Sequence, residues 1–203
     1  MSAEKLETQV RQDQIADAAL SLIGRYGLGG LSIARVARQI GLVPSAIYRH
    51  FEGKDRVIDA VLDRIETRLQ ANVAAVSAES PDSLEQLRRL LMRHIRLIRE
   101  NQGIPRVIFS EELFAGHPER RRKVYEIISG YLGQVAEVIR AGQKARRLRN
   151  DSDPSVLAVM FLGLVQPAAI LWHVSDGVFD VTKQTERSWR VFSEAIGAHG
   201  KPS

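Results

Sequence analysis

The residue types best suited to chemistry lie between Leu31 and Phe51, in the run LSIARVARQIGLVPSAIYRHF. Two apolar-striped segments flank Gly41. In the second, Ile47 and Phe51 are four apart and face inward together, which leaves Pro44, Ser45, Ala46, Tyr48 and Arg49 around the outer surface. Small residues let a helix approach base edges, and alanine or proline makes apolar contact with thymine methyls. Tyrosine hydroxyls and lysines bind phosphates. This is the layout of a helix-turn-helix that reads DNA.

Catalytic chemistry has no comparable signal. The histidines, His50, His94, His117, His173 and His199, are scattered, and no pair has the spacing of a helical metal motif. Glu111 and Glu112 are adjacent, so on a helix they point about 100° apart and form no carboxylate dyad. No nucleophile elbow appears, and the chain has no cysteine for disulfides or thiolate metal sites. No catalytic group, cofactor or metal is expected.

The elements that must hold the outer surface in place are all helical. Ile15, Ala18, Ala19, Leu22, Ile23 and Tyr26 recur at helical spacing, giving an amphipathic first helix over 8–26 closed by Gly27. Ser32 caps a second helix, with Ile33, Val36, Ala37 and Ile40 on one face and Arg35, Arg38 and Gln39 on the other. Gly41 ends it, Leu42 plugs the turn, and Pro44 opens the third. Past Gly53, Val57, Val61, Ile65, Leu69 and Val76 stripe a long fourth helix. A fifth runs over 84–98, stopped near Gly103 and Pro105; a sixth spans 105–114 and a seventh 119–147. Asp153 and Pro154 start an eighth, and Trp189, Phe192 and Ile196 mark a ninth. The expected fold is therefore all-α with about nine helices: a helix-turn-helix domain over 1–53 and a helical effector-binding and dimerisation domain over 54–203.

This stretch resembles the TetR family of transcriptional regulators. The resemblance rests on IADAALSLIGRYG in the first helix, then Ser32, Gly41, SAIYRHF and Lys54, and covers about Arg11 to Ile65. It implies that Ser32 and Arg35 touch phosphate or the groove edge, that Pro44, Ser45, Ala46 and Tyr48 enter the major groove, and that His50 and Lys54 grip the backbone. Two positions depart from the family pattern: Val43 stands where a capping Ser or Thr is common, and Gly53 where Ser or Asn is. Each weakens a local helix start by ~1 kcal/mol, which Pro44 partly offsets at the first.

At 203 residues the chain exceeds a lone reader, and its hydrophobic content of 44% leaves material for a core. A net charge of +5 and a pI near 9.8 suit a polyanionic partner. The amino terminus lacks the apolar core of a secretion signal, so the cytoplasm is expected. Val156 to Trp172 approaches a membrane span in length, but Gln166 and Pro167 interrupt it, and a buried interface helix kinked at Pro167 is expected instead. The basic runs Arg120–Lys123 and Lys144–Arg149 read as solvated faces.

A palindrome needs two readers one turn apart, hence a homodimer on double-stranded DNA. The resemblance implies an interface from the last two helices, for which Met160, Phe161, Leu164, Trp172, Trp189 and Phe192 are the candidates. His94 falls on the apolar face of the fifth helix, as a hydrogen-bonded core residue or an effector contact. With Arg106, Phe109, Glu112 and Tyr125 it makes a candidate pocket for an unidentified small-molecule effector, which would act by shifting the fourth helix. The reading is a dimeric repressor released by that effector. An activator or partner-regulated protein without ligand, and a helical enzyme with a reader-like amino terminus, stand as alternatives.

Overall fold

Turn chemistry sets the sequence of elements in the computed structural model, which describes residues 3–198. His199 lies outside the described residues. The helices are α1 (Ala3–Tyr26), α2 (Ile33–Gln39), α3 (Pro44–Tyr48), α4 (Lys54–Glu79), α5 (Ser83–Glu100), α6 (Gly103–Ile108), α7 (Glu111–Phe114), α8 (Pro118–Lys144), α9 (Pro154–Gly163), α10 (Gln166–Val174) and α11 (Val181–Ile196). Among the described residues there is no strand, only one isolated bridge between Leu148 and Gly197.

Two expected helices are each divided in the structure. The sixth becomes α6 and α7, because Ser110 takes an extended backbone and caps α7 by accepting the Leu113 N–H at 3.2 Å. The eighth becomes α9 and α10. Pro167 has no N–H for the carbonyl four residues back, and the chain turns just before it through Leu164 N–H to Phe161 O (3.1 Å) and Val165 N–H to Leu162 O (3.0 Å). The 21 residues Pro154–Val174 are long and apolar enough to cross a membrane by length and composition, with a mean hydropathy of 2.0. Here they form these two helices, a third of the most apolar window being buried.

The chain forms two compact units. The first comprises the described residues up to Arg68 together with Glu100–Glu126; the second comprises Leu69–Arg99 and the described residues from Ile127 onward. In the first unit Ile15, Ala19 and Ile23 of α1, Val36, Ala37 and Ile47 of α2 and α3, and Val57, Val61 and Ile65 of α4 are all buried. Tyr26, expected on the same apolar stripe, is exposed instead. α6 crosses α1 in backbone contact: a Cβ on Gly103 would stand 2.2 Å from the Leu20 carbonyl oxygen, and one on Gly24 would stand 2.9 Å from the Gly103 nitrogen. Gly103 therefore permits this crossing, beyond ending a helix.

The second unit has its own core, with Leu87, Leu90, Leu91 and Ile95 of α5 against Val135 and Ile139 of α8, Ala158 and Phe161 of α9, and Trp189, Phe192 and Ile196 of α11.

Candidate nucleic-acid interface

Ser32 sits before α2 with an extended backbone, and its Oγ accepts the Arg35 N–H at 3.3 Å. The hydroxyl thus holds the start of α2. Gly41 takes φ +69° after α2, a left-handed conformation that glycine adopts cheaply, and Leu42 N–H reaches back to Ala37 O at 2.8 Å. α3 then begins at Pro44. Its cap residue Val43 makes no side-chain capping bond, as its lack of a hydroxyl dictates.

Pro44, Ser45, Tyr48 and Arg49 lie exposed along the outer side of α3, with Tyr48 56% accessible. Val43, at the entry to the helix, is exposed beside them. Ala46 is not part of this surface. It is 6% accessible and turns inward with Ile47, because a helix of little more than one turn packs two successive residues against α2. The outward placement of Ala46 is corrected accordingly.

The flanking candidates differ in freedom. Arg35 is exposed, but one Nη donates to the Gly30 carbonyl at 2.8 Å and its guanidinium lies 5.1 Å from the centre of the Tyr26 ring. His50 is half-buried; its carbonyl accepts from Gln12 Nε2 at 3.4 Å, and its Nδ1 is buried with no hydrogen-bond partner among the described residues. Lys54 is half-buried at the first position of α4, where the helix dipole adds positive potential.

In the run Arg120–Lys123, Arg121 and Arg122 are exposed as a solvated face requires, but Arg120 and Lys123 are not. The Arg120 side chain is 4% accessible, and its guanidinium donates to Asp59 Oδ1 (3.0 Å), Asp55 Oδ1 (2.8 Å) and the Asp55 carbonyl (3.2 Å). Lys123 bridges Asp63 and Glu66 at 3.0 and 2.6 Å. The bond from Arg120, with the Arg120, His117 and Lys54 charges, holds the Asp55 carboxyl below its ordinary value despite some desolvation. In the second basic run Arg147 pairs with Asp82 at 2.6 Å and Arg149 with Asp151 at 2.5 Å.

A family description of bacterial regulatory proteins, tetR family, matches residues 15–61, and that of the tetracyclin repressor-like C-terminal domain matches residues 80–196. The chain belongs to the TetR family. It is thus a DNA-binding transcriptional regulator, with the helices described above as its helix-turn-helix. Among curated relatives, the nucleoid occlusion factor SlmA of Vibrio vulnificus is 24% identical over 191 residues, covering 92% of this chain and 95% of that one. A TetR-family regulator from Agrobacterium tumefaciens superposes with a TM-score of 0.77 at 21% identity, covering 94% and 100% of the two chains. The FadR regulator of Bacillus subtilis, solved with stearoyl-CoA, gives 0.73 at 19% identity, covering 90% and 98%. At these identities the structural likeness shows the fold.

The TetR-type carboxyl-terminal helices correct part of the expected interface. Phe161, Trp189 and Phe192 are buried within the chain's own core, with ring centres 6.2 Å apart for Phe161–Phe192 and 6.1 Å for Trp189–Phe192. Leu164 and Trp172 are half-buried, and Met160 is exposed. The apolar side chains that reach the surface are instead Val156 and Val159 with Met160 on α9, Ile170, Leu171 and Val174 on α10, and Val191 on α11.

The effector candidates fall in both units. His94, in the second unit, is buried, with its Nδ1 3.0 Å from the Tyr131 hydroxyl and the two rings edge-on. Burial lowers its pKa to about 4 and raises that of Tyr131, so both are neutral near pH 7. His94 thus has the burial and the partner of a hydrogen-bonded core histidine. Arg106, Phe109, Glu112 and Tyr125 belong to the first unit. Arg106 is half-buried, the Glu112 carboxylate lies against Gly29, and Phe109 and Tyr125 are exposed.

Proposed function

We propose that this TetR-family regulator is a homodimeric repressor that binds a palindromic operator in the cytoplasm and is released by a small-molecule effector. The observation that carries the reading is the outer side of α3, where Pro44, Ser45 and Tyr48 stand exposed with little charge, next to the capped start of α2 and the Gly41 turn. Such a surface approaches base edges closely and leaves phosphate contacts to its flanks. Exposed apolar side chains on α9, α10 and α11 support pairing of two chains through these helices. Two readers then meet half-sites one helical turn apart.

Stearoyl-CoA bound to the FadR relative supports a small-molecule effector for this chain too. An effector that favours one position of α4 by about 1.4 kcal/mol changes operator affinity tenfold. A second reading, a DNA-binding protein that acts as a nucleoid occlusion factor, is supported by the 24% likeness to such factors over 92% of the chain.

The test is fluorescence anisotropy with palindromic duplexes from the DNA upstream of the protein's own gene, at low salt. Saturable binding is expected, with a loss of about tenfold or more in Tyr48→Ala. Absence of binding to every such duplex contradicts the reading.

A further inference from the structure

The outer side of α3 carries a single full charge, Arg49, so most of the attraction for a polyanion has to come from neighbouring elements. One groove in the first unit is built for that. It lies between the last turn of α1 and the outer side of α2, measures about 580 Å³, and is lined by Leu22, Arg25, Tyr26, Arg35, Arg38 and Gln39. The lining holds three guanidinium groups and no carboxylate.

Some arginines elsewhere in this unit are matched by acids: Arg64 by Asp13 and Asp17, Arg68 by Asp17, Arg120 by Asp55 and Asp59. Arg25, Arg35 and Arg38 form no ion pair among the described residues. What orders Arg35 is neutral: the Gly30 carbonyl at 2.8 Å and the Tyr26 ring at 5.1 Å. Gly30 makes this possible, since a Cβ there would stand 2.5 Å from that of Tyr26 and drive the loop off the ring. A guanidinium fixed by a carbonyl and a π-face keeps its full charge and its other N–H groups for an incoming anion. This also accounts for the exposure of Tyr26 on an otherwise buried stripe.

We infer that this groove is a clamp for the phosphodiester backbone of DNA alongside the half-site met by α3, with Arg25 and Arg38 as contact residues and Tyr26 as the residue that positions Arg35. The inference rests on the DNA-binding reading. A duplex is the occupant favoured by position as well as charge. Arg38 precedes the Gly41 turn into α3 by only three residues, and α2 packs directly on α3, so a polyanion engaged by α3 runs beside these cations.

The experiment is a salt series of binding constants for the full chain and for the double variant Arg25→Ala/Arg38→Ala. Both side chains are exposed, so the fold is retained, which a melting curve checks. Each protein is measured on the upstream palindrome and on a scrambled duplex of equal length. Loss of two phosphate contacts shrinks the slope of log K against log salt by about 1.8 on both duplexes, with the preference for the palindrome kept. Tyr26→Leu, which frees Arg35, is expected to weaken binding on both duplexes as well. An unchanged slope in a double variant that still binds overturns the clamp and leaves the DNA-binding reading standing, as does a loss confined to the palindrome. Wild-type protein that binds neither duplex overturns that reading itself.

Discussion

His94 meets Tyr131 in an apolar interior, and that placement has a measurable consequence. Burial moves its pKa from 6.5 to about 4. The unfolded chain takes up a proton once pH falls below about 6.5, whereas the folded chain does so only near 4, so stability drops as pH descends through that window. Between pH 7 and pH 5 the loss is about 2 kcal/mol. Urea unfolding at the two pH values is expected to show this loss in the wild type and its absence in His94→Gln; the same pH dependence in both proteins would assign it to other groups. Arg120 teaches a different lesson at the same scale. A buried ion pair is weak support for stability, but three hydrogen bonds to Asp55 and Asp59 fix the first turns of α4 in register with the start of α8. In the sequence Arg120 is one of four successive basic residues. The informative signal is on the other partner, where Asp55, Asp59, Asp63 and Glu66 form an acidic stripe at helical spacing with Arg120 and Lys123 as its counter-charges.

Among the elements, the helix-turn-helix is legible from sequence because its signals are local: the Ser32 cap, the left-handed Gly41 and Pro44 at the first helical position each act within a few residues. The facing of Ala46 is not legible, because in a helix this short a shift of one residue decides which side is inward. The same loss of phase governs α9. Its residues are apolar all round, so periodicity cannot tell Phe161, which is buried, from Val159 and Met160, which are exposed. Structure supplies that phase: Phe161, Trp189 and Phe192 are buried in the core, and Val156, Val159, Ile170 and their neighbours are the apolar side chains left exposed for the proposed interface. Val159→Glu places a charge on this surface without touching the core. Sedimentation equilibrium is expected to show the wild type as a dimer and the variant with at least about tenfold weaker association, a change of about 1.4 kcal/mol, at unchanged helicity. Association unaffected by the charge would remove α9 from the interface.

For the molecule as a whole, what the sequence hides is long-range. Nothing local announces that Glu100–Glu126 joins the amino-terminal helices in one compact unit, or that Gly24 and Gly103 let α1 and α6 touch backbone to backbone. Nor does any pattern gather Arg25, Tyr26, Arg35 and Arg38 around one groove, since the contributing helices become neighbours only through the loop at Gly30. The candidate DNA surface is thus part motif and part assembly: α3 presents small groups for the bases, and α1, α2 and α4 supply the cations. The central claim, that paired copies of this surface read an inverted repeat, is tested most directly by selecting bound duplexes from a random-sequence pool with the full chain. The account predicts enrichment of two inverted half-sites with centres about 34–36 Å apart, one turn of B-DNA. A bound pool with no more sequence pattern than the input, or one enriched in a lone half-site, would contradict it.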